Sequence, residues 1–508
     1  MLSANNNKTI VKNTLFLSFR MLFVLLVTLY TSRVILNELG VIDYGIYNVI
    51  AGFVSMFTFL NSSLSNAIQR FYNYELGSHG EEGVNKVFNA AIITQVVLSL
   101  IVALMLETVG LWYLYNKMVL PPERLTMAFW LFQFSVLSTV VVVLQIPYSA
   151  AVMAYERMGY FAFVSIFDAI YKLSFAIALP FISADKLFLY GAFLLLGSFF
   201  NLLLYWGYCR LYFPVIKLRR IKNTKTLKGI LSFSGWNFFG TFATIVREQG
   251  LNMILNLFFG PVVNAARGIA AQVYNAVQGF VNSIGIAVKP QLIQSFAGGD
   301  EKRSLRLMYG TSKLSFFILY IMAIPIILEI DYILKLWLGE IVPEYTSFFV
   351  SIILATTFVN NLNASLANIV HATGKMKIFQ LTFFFTNLVV LPFSYIAFLM
   401  GASPEYGFIL YFICTVIMQI ICVIVASKVV GFSTLEYVQE VIIPLSTFSI
   451  MALIVPCIIC QLLPYGFMRL VIVLIVSTII SSFTFYFLGM NKIEKGMCNN
   501  IIKNILKR

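Results

Sequence analysis

The chain has 508 residues, of which 60% are hydrophobic and 11% charged, with a mean hydropathy of +0.88. A soluble protein of this size needs about 25% charged residues to cover its surface, so the composition excludes one and indicates an integral membrane protein. The 35 Lys and Arg against 21 Asp and Glu leave a net charge of +14, which in this solvent points to cationic loops beside anionic lipid rather than to nucleic-acid binding.

A polar segment over residues 1–14 leads into an apolar run ending near Leu36. It is too long for a signal-peptide core, carries Arg20 and has no small-residue cleavage site after it, so it reads as a first, retained transmembrane helix. Thirteen further runs follow, near 46–70, 88–113, 127–150, 160–182, 187–209, 231–257, 268–292, 313–336, 347–370, 378–400, 407–428, 441–462 and 468–488. Each can cross a ~30 Å hydrocarbon core, and only helices satisfy their backbone while facing lipid, so the expected fold is all-α with about fourteen transmembrane helices.

With the N-terminus inside, one set of loops and tails carries 25 basic residues and the other set seven, so both termini are expected in the cytoplasm. The largest share lies between Arg210 and Lys228, seven basic residues with no acidic one. The expected organisation is a six-helix bundle over 1–212, a basic linker over 213–229, a second six-helix bundle over 230–430, and two extra helices with a basic tail over 431–508. Leu17-Ser18-Phe19 recurs as Leu231-Ser232-Phe233, and Gly40, Ser63 and Ala67 recur 220 residues later as Gly260, Ser283 and Ala287. Six helices is an even number, so the two halves are expected to be parallel repeats about an axis along the membrane normal.

Polar residues recur at helical spacing inside the runs. The second run offers Thr58, Ser62, Ser65 and Gln69 beside Arg70. The seventh carries Asn237, Thr241, Thr244, Glu248 and Asn252, with Arg247 adjacent. The eighth carries Gln272, Asn275, Gln278 and Asn282, then Lys289, and the tenth carries Asn360, Asn363 and His371. Such residues also glue helices together, at ~0.6 kcal/mol each, but stripes ending in charges suit a water-filled cavity better. An intramembrane charge costs ~2.5–3.5 kcal/mol at the helix centre unless paired or hydrated. Arg247 is the deepest and is read as functional. Arg20 has snorkelling as an alternative, and Arg70 and Lys289 have cytoplasmic anchoring. Asp168 and Lys172, at i and i+4, form either a local structural pair or, with Glu248, candidates for ion coupling.

If the first, second, seventh and eighth helices face one another, their cavity holds Arg20, Arg70, Arg247 and Lys289 against Glu248, a surplus of positive charge suited to a phosphate or pyrophosphate. Pro147, Pro180, Pro290 and Pro325 are candidate bending points. The six cysteines suggest no disulfide framework, and Cys457-x-x-Cys460 sits in an apolar run as an inert pair. There is no phosphate-binding loop, no H-E-x-x-H and no long extramembrane loop, so the chain is expected to be a secondary transporter rather than an enzyme, with no cofactor or metal; coupling to H⁺ or Na⁺ stays open.

The stretch Thr31 to Tyr47, with Arg33, Leu39-Gly40 and Tyr44-Gly45-Ile46-Tyr47, resembles the helix 1–2 junction of Wzx-type polysaccharide flippases, although Arg33 lies seven residues before Gly40. Ile146-Pro147 through Ala154-Tyr155-Glu156-Arg157-Met158 resembles that family's helix 4–5 junction. The family belongs to the multidrug/oligosaccharidyl-lipid/polysaccharide exporter superfamily. The resemblance implies a MATE/MurJ-like fold with helices 1, 2, 7 and 8 around a central cavity. It also implies export of an undecaprenyl-pyrophosphate-linked oligosaccharide to the periplasmic leaflet of a bacterial inner membrane, for O-antigen or capsule assembly. The chain would act as a monomer, with polysaccharide-assembly proteins as candidate partners. A lipid II flippase and a cation-coupled multidrug exporter of the same fold remain alternatives, ahead of a glycan polymerase or ligase.

Overall fold

A computed structural model describes the backbone of residues 2–57, 80–155, 157–218, 225–373, 377–496 and 498–499, with 64–65, 68–69, 71–72 and 75–76 between the first two stretches. Side chains are described over the same residues apart from 2–22, 80–82, 225–241 and most of 283–297. The structure is all-helical among the described residues. Eleven helices there are long and apolar enough to cross a membrane. The three other expected spans, the second, seventh and eighth, overlap residues outside the described set, so the total of fourteen is left as an expectation.

The chain divides into two compact units, Met1–Ala265 and Ala266–Arg508. This division is drawn by packing and falls 53 residues beyond the end of the first repeat block (212 to 265), which is drawn by sequence.

The first unit contains α1 (Leu2–Ser55), α2 (Gly80–Met105), α3 (Leu111–Asn116), α4 (Leu125–Ala154), α5 (Met158–Ala178), α6 (Lys186–Tyr212) and α7 (Lys225–Phe259). The expected loop between the first two spans is absent. One helical stretch runs through it and breaks at a single residue, Gly40, with φ 75° and ψ 169°. Residues bearing a Cβ do not settle in that region, so glycine alone allows so abrupt a change of direction. A π turn over Leu106–Gly110 joins α2 to α3. The core of this unit gathers Ile68, Tyr72, Phe88, Ala150, Ala151, Tyr205 and Cys209. Fully buried Tyr72 donates its hydroxyl to the Pro147 carbonyl at 3.3 Å, inside α4.

The boundary between the two units falls within α8 (Pro261–Ala297), which is separated from α7 only by Gly260, whose φ is 73°. The two glycines paired by the 220-residue offset therefore both adopt positive φ. Pro261 then opens α8, where its missing N–H is no loss and its fixed φ suits a first turn.

The second unit contains α9 (Glu301–Leu328), α10 (Ile330–Leu338), α11 (Thr346–Thr373), α12 (Lys377–Leu388), α13 (Val390–Leu399), α14 (Pro404–Val430), α15 (Thr434–Tyr437), α16 (Ile443–Leu462) and α17 (Phe467–Thr484). Its core is built from Met308, Leu366, Phe379, Cys422, Tyr437 and Phe448. The outer face of α14 exposes Ile413, Ile417, Ile420 and Ile424, an aliphatic stripe that suits lipid.

Candidate functional site

The Tyr44-Gly45-Ile46-Tyr47 motif lies where α1 meets the start of α8. A Cβ on Gly45 would come within 1.9 Å of the Pro261 carbonyl oxygen, so the two backbones touch only because this residue is glycine. One helical heptad on, Gly52 makes the same room for Gln249 and Asn252 of α7. Tyr47 packs edge-on against Tyr190 with ring centroids 4.8 Å apart.

Asparagines lock this junction. Asn252 Nδ2 donates to the Asn48 carbonyl at 3.2 Å, and Asn264 Nδ2 donates to both Oδ1 and the carbonyl of Asn252 at 2.7 and 2.8 Å. Asn256 Nδ2 donates to Asn264 Oδ1 at 3.2 Å, while its own Oδ1 accepts from the Val119 N–H at 2.9 Å. All three side chains are buried. Asn252, expected at the end of an open polar stripe, thus belongs to a closed structural network, because satisfied buried amides stabilise a junction that unsatisfied ones would disrupt.

Higher on α7, Arg247 sits on the buried face with Ala243 and Leu251, at 4% exposure. Its Nη2 is 3.5 Å from Glu248 Oε1, and Glu248 is the more open partner, with 36% of its side chain accessible. Thr244 is half-buried on the same stretch. The candidate cation is therefore held inside the first unit, with its carboxylate neighbour turned outward. Of the other expected cationic residues, Arg70 lies outside the described residues, as do the side chains of Arg20 and Lys289; the side chains of Asn237 and Thr241 do as well.

In the second unit the polar stripes of α8 and α11 meet. Gln278 Nε2 donates to Asn282 Oδ1 at 2.9 Å and to Asn361 Oδ1 at 3.3 Å, and Asn360 Nδ2 reaches the Tyr411 hydroxyl at 3.5 Å. Asn275 and Asn282 are exposed and Gln272 is half-buried. Asp168 pairs with Lys172 at 2.7 Å and accepts from Asn201 Nδ2 of α6 at 2.9 Å.

The strongest charge contacts join residues far apart in sequence, and the sequence reading missed them. Arg124 bonds Asp43 just after the Gly40 break (Nε to Oδ1, 2.8 Å) and Asp185 (Nη1 to Oδ2, 2.6 Å). Lys186 holds Glu38, just before the break, at 2.7 Å. Asp185 also caps α6 by accepting from the Leu187 and Phe188 N–H groups at 3.0 and 3.2 Å. Burial raises its carboxyl pKa, but the Arg124 hydrogen bond and these two N–H groups outweigh burial and hold it below the ordinary carboxylate value.

In the second unit, Lys313, at the start of the ninth apolar run, is 2% exposed and bonds Glu494 Oε2 at 2.6 Å. Glu329, with no side-chain exposure, is gripped by Arg469 through Nε at 2.7 Å and Nη2 at 2.8 Å. The Cys460 thiol donates to the same carboxylate at 3.5 Å, so this cysteine faces an ion pair rather than hydrocarbon alone. Glu107, on the π turn inside the apolar Gly83–Asn116 stretch, accepts from Gln133 Nε2 at 3.1 Å and is a carboxylate that the sequence reading did not single out.

No family model matches the sequence, and neither does any curated protein. Solved structures do match. The lipid II flippase MurJ in an inward closed conformation is 14% identical, with a TM-score of 0.64 over 93% of this chain and 98% of MurJ. The fold is that of MurJ and the MATE transporters. An inward-facing multidrug resistance MATE family transporter of the MOP superfamily is also 14% identical, with a TM-score of 0.62 over 82% of this chain and 94% of its own. A MOP superfamily transporter from Pyrococcus furiosus is 12% identical, with a TM-score of 0.60 over 83% and 96%. At these identities the likeness to MurJ and MATE is one of fold, and it accounts for the multi-pass helical architecture that the composition demands.

Proposed function

We propose that the protein is a flippase that moves an undecaprenyl-pyrophosphate-linked oligosaccharide from the cytoplasmic to the periplasmic leaflet of a bacterial inner membrane, with both termini in the cytoplasm. The observation that carries this reading is coverage. The MurJ likeness takes in 93% of the chain, whereas those to the MATE family transporter and to the Pyrococcus furiosus MOP superfamily transporter take in 82% and 83%. The lipid-linked cargo is carried over from MurJ on this fuller match. The cationic residues Arg20, Arg70, Arg247 and Lys289 support the same reading, since phosphoryl oxygens need fixed positive charge inside a low-dielectric site. Alternating access needs no enzymatic step, and the chain acts as a transporter.

Deletion of the gene tests the proposal. Lipid-linked saccharide should accumulate in the inner leaflet while surface glycan disappears, and both should revert on complementation. Unchanged lipid-linked saccharide combined with new sensitivity to cationic drugs would instead identify a multidrug exporter.

A further inference from the structure

The exposed faces of the second unit differ in kind. That of α14 is a row of isoleucines, whereas that of α8 presents the carboxamides of Asn275 and Asn282, with Gln278 between them. Amides do not face hydrocarbon without a partner, so the α8 face looks onto a polar medium. Behind it, Asn361 of α11 is 4% exposed and linked to Gln278 by one offset hydrogen bond of 3.3 Å.

That bond leaves two atoms over. Gln278 Oε1 and Asn361 Nδ2 are both buried, and neither finds a hydrogen-bond partner among the described residues. One is an acceptor and the other a donor, and they belong to a directly bonded pair of side chains. A buried orphan of either kind costs about 1–3 kcal/mol, and a group that donates once and accepts once would satisfy both. A hydroxyl does both. No charged side chain takes part in the hydrogen bonds among Gln278, Asn282 and Asn361, which suits a neutral ligand rather than an ion. Asn275 and Asn282, one turn to either side of Gln278, extend the row of alternating donors and acceptors along the helix.

We infer that Gln278, Asn282 and Asn361 form a subsite for the hydroxyl groups of a saccharide. The subsite rests on the flippase reading and assigns the neutral sugar portion of the cargo to the second unit.

The test uses the full-length protein purified in detergent and two probes. One is the lipid-linked saccharide pool extracted from the deletion strain, and the other is undecaprenyl pyrophosphate without sugar. The wild type should bind the saccharide-bearing lipid more tightly. Gln278→Met and Asn361→Leu should each lower that preference about tenfold while leaving the affinity for undecaprenyl pyrophosphate unchanged. Asn282→Leu, at an exposed position that folding does not require, should lower it in the same direction. If the variants keep the full preference, or lose affinity for both probes equally, the amides are structural and the subsite is overturned. If the wild type binds neither probe, the flippase reading itself fails, an outcome distinct from loss of preference alone.

Discussion

Arg247 and Glu248 are adjacent in sequence yet differ in access, and that difference decides what each can do. Arg247 is buried and Glu248 half-open, so a cargo phosphate would approach past the carboxylate. Arg247→Ala is expected to abolish surface glycan at unchanged protein level. Arg247→Lys should restore only a part, because lysine keeps the charge but lacks the fork that binds two oxygens at once. The double change Arg247→Ala with Glu248→Gln separates the roles: it stays inactive if Arg247 holds cargo and recovers if Arg247 serves only to neutralise Glu248.

Glu329 and Arg469 make the complementary case, a pair whose role is stability. Arg469→Met strands a carboxylate that has no side-chain exposure and should cost about 3–5 kcal/mol, read as a lower melting temperature in detergent. The paired replacement Glu329→Leu with Arg469→Met should recover most of that loss. Equal losses in the single and paired variants would show that the carboxylate is not the source of the cost.

At the scale of elements, the two glycine breaks were visible in the sequence as a repeat, and their conformation follows from what only glycine tolerates. Gly40→Ala places a Cβ at φ 75° and ψ 169° and should destabilise by about 1–3 kcal/mol. Gly159→Ala, in α5 with nothing within 4 Å of the added Cβ, should be neutral or slightly stabilising. A Gly40→Ala protein as stable as the Gly159→Ala one would mean that the break is not where strain resides. The helices themselves were legible because length and hydropathy define a span locally. Partnerships were not. Lys186 meets Glu38 across 148 residues, Arg469 meets Glu329 across 140 and Lys313 meets Glu494 across 181, and no periodicity links positions that far apart. Asn252 shows the same gap: its spacing placed it on a helix face, but only the partners Asn48, 204 residues away, and Asn264 reveal that the face is closed.

At the scale of the whole molecule, the asymmetry of Lys and Arg makes a prediction that packing does not. Reporter fusions after Asn223 and Arg508 should both report cytoplasm, and a fusion near Tyr406 should report the opposite side. Opposite locations for 223 and 508 would make the number of spans between them odd and would overturn the eight expected there. The Gly40 break also has a mechanical consequence. Glu38, before it, and Asp43, after it, are tied to Lys186 and, through Arg124, to Asp185, consecutive residues at the start of α6. A bend strapped on both arms to one anchor has no free lever. A tilt of α6 is therefore expected to carry both arms of α1 together.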